Sequence, residues 1–117
     1  MTLLYTQFGL MFKEDRFWVI HQRRTYGPFE YQFNQDLRGL VLCYQGEAFG
    51  EVCSQEEFFI DLKPFGLPMN VAHVATLVYG WQHQCWKEAV DHRLHFDRLK
   101  DLLTEYGYAQ YCPVKLA

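Results

Sequence analysis

A strand–turn–strand pattern occurs twice in this chain, and the two copies align without a gap. Phe17-Trp18-Val19-Ile20-His21-Gln22 leads through Arg23-Arg24 into Thr25-Tyr26-Gly27-Pro28-Phe29. Twenty-three residues on, Leu40-Val41-Leu42-Cys43-Tyr44-Gln45 leads through Gly46-Glu47 into Ala48-Phe49-Gly50-Glu51-Val52. Short β-branched and aromatic runs joined by a tight turn read as hairpins. The first half is therefore expected to be a small antiparallel sheet. Leu3 to Phe12 can add a strand before the turn Lys13-Glu14-Asp15-Arg16.

Alternation puts Phe17, Val19 and His21 on one face and Trp18, Ile20 and Gln22 on the other. Pro28 lacks an amide hydrogen, so it predicts an edge or a bulge. Gly27 and Gly50 can supply a positive φ or a bulge. Gly46 fits the first central position of a type II′ turn. Arg23 fits such a turn poorly, which predicts a longer first turn.

After the hairpins the spacing changes to that of helices. Ser54-Gln55-Glu56-Glu57 is a capping-box signature and predicts a helix over 55–63, with Phe58, Phe59 and Leu62 inward. Pro64-Phe65-Gly66-Leu67-Pro68 is a connector. Asn70 is the expected cap of the next helix, whose inner stripe is Val71, Val74, Ala75, Val78 and Trp81. Gly80 marks a bend or an end. A further helix from Cys85 to Tyr106 carries Trp86, Ala89, Phe96, Leu99, Leu103 and Tyr106 on one stripe, and Gly107 stops it. The tail after Tyr108 is expected to fray. The expected fold is α+β: an antiparallel sheet of two repeated hairpins plus a short helix, then two C-terminal helices packed on the sheet. It is read as a single domain over 1–117, with a β-rich half 1–63 and a helical half 69–107.

A formal charge of −3 and the absence of a basic block disfavour nucleic acid as a partner. No apolar run is long enough for a membrane span. The start of the chain has no basic leader region. Together these predict a cytoplasmic protein whose four cysteines, Cys43, Cys53, Cys85 and Cys112, are reduced. Aromatic residues make up 18% of the chain. Such rings either fill a small sheet core or anchor an interface.

Residues 18–37 resemble the bacterial GYF-like domain. Trp18 leads the strand, Gly27-Pro28-Phe29 forms the Gly-Pro-aromatic run, and Phe33-Asn34-Gln35-Asp36-Leu37 occupies the place of the family's short helix. Residues 41–62 resemble a degenerate copy. The family's run of Met, Trp and a terminal Gly-Tyr-Phe has no counterpart here. The resemblance implies a surface for proline-rich peptides, with Trp18, Tyr26 and Phe29 as the matching residues.

Three chemistries compete. The first is a noncatalytic interaction module that needs no cofactor and binds a peptide, a protein or a second copy of itself. Trp18, Tyr26, Phe29 and Tyr31 would make the contact, and Arg23 and Arg24 would charge its rim. The second is a metal or small-ligand site from His83, Cys85, His92 and His95. On one helix, His92 and His95 would point the same way, with Glu88 and Asp91 four residues before them to orient the rings. The same spacings also suit plain helical side-chain pairs. The third is an enzyme using Cys53 at a helix start, with His21 as its base.

Overall fold

The computed structural model describes residues 6–36, 38–53, 60, 62–110 and 115–116. Among them, five strands run antiparallel: β1 (Thr6–Lys13), β2 (Arg16–His21), β3 (Arg24–Asn34), β4 (Gly39–Tyr44) and β5 (Glu47–Cys53). Two helices follow, α1 (Met69–Lys87) and α2 (Phe96–Glu105). The chain then returns to the sheet as β6 (Tyr108–Gln110) and β7 (Lys115–Leu116), both parallel to β1. The spatial order is β5-β4-β3-β2-β1-β6. This is the expected α+β arrangement. The correction is at the tail, where β6 extends the sheet from Tyr108 onward.

The repeat is real at the level of the backbone. Both hairpins close through two-residue turns, Gln22-Arg23 and Gln45-Gly46. All four turn residues have positive φ, at 50°, 66°, 52° and 85°. This is the type I′ pattern, which matches strand twist. The first turn is therefore no longer than the second, and Gly46 takes the second central position. Each return strand also holds one extra residue. Phe17 pairs with Phe29 and Val19 with Tyr26, so Gly27-Pro28 opposes Trp18 alone. Leu42 pairs with Gly50 and Cys43 with Ala48, so Phe49 is extra. Pro28 thus sits in a bulge on an inner strand, where no ladder bond is asked of it.

Gly27 has φ 143°, and a Cβ there would stand 2.7 Å from Trp18 Cδ1. Only glycine meets both conditions. Gly50 lies beside its bulge without a positive φ.

Opposite residues share a face, and the register builds an aromatic row across four strands. Phe12, Phe17, Phe29 and Tyr44 follow one another with ring centroids 5.8, 5.0 and 4.9 Å apart. Tyr79 from α1 lies across the row, 5.1 Å from Phe17 and 6.2 Å from Phe29. Phe8, Leu10, Val19, Leu40 and Leu42 complete this side of the core, and Val71, Val74, Ala75, Val78, Leu99 and Leu103 close it. Much of the aromatic content is core material.

The helices depart from expectation at their ends. α1 starts at Met69, because the first helical bond runs from Ala72 N–H to Pro68 C=O at 2.9 Å. Asn70 lies inside the helix, and Gly80 does not interrupt it. The helix expected from Cys85 to Tyr106 is broken. Ala89 takes φ 57°. Its N–H bonds the Trp86 carbonyl, and Val90 N–H bonds the Cys85 carbonyl, each at 3.0 Å. This is a Schellman ending. Asp91 then accepts from Arg93 N–H at 3.0 Å and opens a single 3-10 turn, His92–Leu94. α2 ends as expected, with Gly107 at φ 86° donating to the Thr104 carbonyl at 3.0 Å.

Phe33 and Asn34 belong to β3, and Gln35-Asp36 is a turn, so no helix begins at Phe33. The capping box at 54–57 lies outside the described residues. At its far end, residues 60 and 62 are not helical and Lys63–Phe65 is a 3-10 turn.

Candidate functional site

The six hairpin residues expected to share one surface are divided between both faces of the sheet. Phe29 is a correction: it is fully buried in the aromatic row and meets no solvent. Tyr31, two residues on, lies on the same inner face. Tyr26 opposes the buried Val19 and packs on the margin of the core. In an unbroken strand, Tyr26 and Phe29 would face opposite sides. The extra residue at Gly27-Pro28 changes the phase, so both turn inward. Trp18 points to the other face, beside Met11. Arg23 and Arg24 are exposed at the turn.

His83, Cys85, His92 and His95 do not assemble. The break at Ala89 puts His83 and Cys85 on α1 but His92 and His95 on the 3-10 turn and the entry to α2. Among the described residues, no group of three or more His, Cys, Asp and Glu side chains is placed to hold a metal ion. The expected orienting acids are engaged elsewhere. Glu88 pairs with Arg98 at 2.8 Å and accepts from Gln84 at 2.9 Å. Asp91 takes a two-point bond from Arg93, 2.9 Å on each oxygen, which holds its pKa down at about 2. Cys43 and Cys85 are buried free thiols whose pKa values burial pushes up. His21 stacks on Phe8 with centroids 4.3 Å apart. The Cys53 side chain lies outside the described residues.

Two concavities among the described residues are lined by helix residues. The larger, about 420 Å³, runs along the seam of α1 and α2. Leu77, Gly80 and Trp81 line it from α1, and Leu102 from α2, with Gln84 and Arg98 at one end. Gly80 contributes no side chain, although glycine inside a helix costs about 1 kcal/mol against alanine. Arg98 is already neutralised by Glu88.

The smaller cavity, about 150 Å³, lies between β3, α1 and the 3-10 turn. Tyr31 and His92 meet there, with the phenol oxygen 2.8 Å from Nδ1. The His92 ring also stands edge-on to Trp81, with centroids 5.2 Å apart. Burial holds His92 below the usual imidazole pKa. Burial and the Asp15 carboxylate push the Tyr31 phenol well above its usual range. Gln82 lines the same cavity at 2% exposure, and neither atom of its amide has a hydrogen-bond partner. His92 Nε2 likewise has none. Each unsatisfied buried group costs about 1–3 kcal/mol.

Gln82 was detectable in the sequence as a polar residue on the apolar spacing 71, 74, 75, 78, 82, 85. The Tyr31–His92 contact, between residues 61 positions apart, leaves no local signal. No protein-family model, curated protein or solved structure matches this chain. No helix among the described residues is long and apolar enough to cross a membrane.

Proposed function

We propose that the chain is a noncatalytic interaction module that binds a peptide segment of a partner protein. The supporting observation is the α1–α2 groove, which is apolar along Leu77, Trp81 and Leu102 and polar at one end. Such a groove suits one large apolar anchor side chain, the residue type that dominates binding energy at small interfaces. The Glu88–Arg98 pair cancels charge at the end and favours a neutral anchor. The two buried free thiols suit a reducing compartment, and the proposal takes the cytoplasm as its setting.

The test is a selection of displayed random peptides on the native protein. Enriched sequences should share an apolar anchor and lose binding to Leu77→Glu while retaining it on Trp18→Ala. Peptides indifferent to Leu77→Glu would refute the groove. The opposite sheet face favours a second reading, self-association, because Met11, Trp18 and Ile20 lie there half-buried. Sedimentation that detects only monomer would remove it.

A further inference from the structure

Gln82 is a carboxamide sealed at 2% exposure in the wall of the 150 Å³ cavity, with its donor and its acceptor both unused. The cavity's other buried polar atom without a partner is His92 Nε2. The Asp15 carboxylate stands near enough to the Tyr31 phenol to help raise its pKa. The phenol oxygen and His92 Nδ1 share one hydrogen bond of 2.8 Å, so Nε2 is the ring nitrogen left to a ligand. The lining thus offers one amide edge, a donor beside an acceptor, and one further ring nitrogen. Its buried groups are uncharged: a phenol, a neutral imidazole and an amide. At the rim, Arg93 is bound to Asp91 and Asp15 adds a negative charge, so an anion is disfavoured. The volume is about five times a water's share of the liquid. It is well below the range of about 300–1,000 Å³ of drug-sized sites. A small planar molecule fits and a nucleotide cofactor does not.

We infer that this cavity is a binding site for a small neutral cyclic amide, whose N–H and C=O pair with the Gln82 carboxamide and which carries a second polar group for His92 Nε2. This site is separate from the α1–α2 groove and does not depend on it.

Uracil is a suitable probe, because it carries two ring N–H groups beside carbonyls. 1,3-Dimethyluracil is its control, because it has no N–H. Titration of the ¹⁵N-labelled protein should move the Gln82 side-chain amide and the His92 ring nitrogens saturably with uracil and leave them still with the control. Gln82→Leu should weaken uracil binding by at least about tenfold. Gln82→Glu keeps the size but loses the amide donor, so it should do the same and thereby separate hydrogen bonding from cavity filling. Equal response to both pyrimidines, undiminished binding in the two variants, or no saturable shift into the millimolar range would each overturn the inference. The last result would mean that the cavity holds only water.

Discussion

The phenol oxygen of Tyr79 lies 2.6 Å from the carbonyl oxygen of Cys43, at the point where the β4–β5 ladder shifts register. The Glu30 carbonyl is 3.1 Å away on the neighbouring strand. Phe49, the extra residue of that bulge, packs edge-on to the same ring at 5.7 Å. A helix side chain therefore supplies the donor where the strand pairing is irregular. Tyr79→Phe keeps the ring and removes the donor. It should cost about 1–3 kcal/mol, read as a lower urea midpoint. An unchanged midpoint would mean that the carbonyl is satisfied without Tyr79.

The two repeated Tyr/Phe-Gly positions should respond unequally to alanine. Gly27→Ala places a Cβ against Trp18 in a positive-φ conformation. Its cost should be about 1–3 kcal/mol. A Cβ at Gly50 meets nothing within 4 Å and needs no positive φ, so Gly50→Ala should change stability little. Thermal unfolding of both variants checks the pair, and equal losses would contradict the bulge assignment.

Ala89→Gly distinguishes a broken helix from a continuous one. At a left-handed C′ position, glycine relieves about 1–2 kcal/mol of strain. Inside a continuous helix the same change would cost about 1 kcal/mol. The variant is expected to melt higher than the parent, and a lower melting point would restore the unbroken helix.

Burial holds His92 and His83 below the usual imidazole value. The unfolded chain therefore takes up protons that the folded chain resists. Stability is full above the unfolded value of about 6.5 and declines as pH falls from there through the folded values. Urea midpoints measured against pH should show this decline, with a shallower slope in His92→Gln. Identical slopes would show that His92 is not the group responsible.

Gln82→Leu should stabilise the unliganded protein by about 1 kcal/mol or more, because it removes two bare polar groups from the interior. Denaturant unfolding reads this directly. A loss of stability would show that the amide is well satisfied where it stands.

The hairpins were legible because their signals are local: alternation, and a proline that asks for an edge or a bulge. The length of the first turn was not, because Arg23 takes a positive φ that its residue type does not announce. The inner stripe of α1, Val71 to Trp81, was likewise legible from local spacing. The end of α1 was not, because Ala89 in a left-handed conformation carries no glycine to announce it. β6 has only three residues, Tyr108–Gln110, too few for a period. The contact surface expected at Trp18, Tyr26, Phe29 and Tyr31 failed for a geometric reason. One inserted residue reverses the sidedness of everything after it, and which residue is inserted depends on the partner strand. The polar cavity joins β3 to the turn after α1, and that pairing exists only once the chain has folded.

β6 pairs with β1 across nearly the whole chain, Thr6 opposite Tyr108. On a ribosome adding about 5–20 residues per second, roughly 5–20 s pass between synthesis of these two partners. Throughout that interval one edge of β1 has backbone groups exposed and no partner, a template for pairing with another nascent chain. The sheet is complete only when Tyr108–Gln110 reach β1, so the fold cannot close before those residues have left the ribosome.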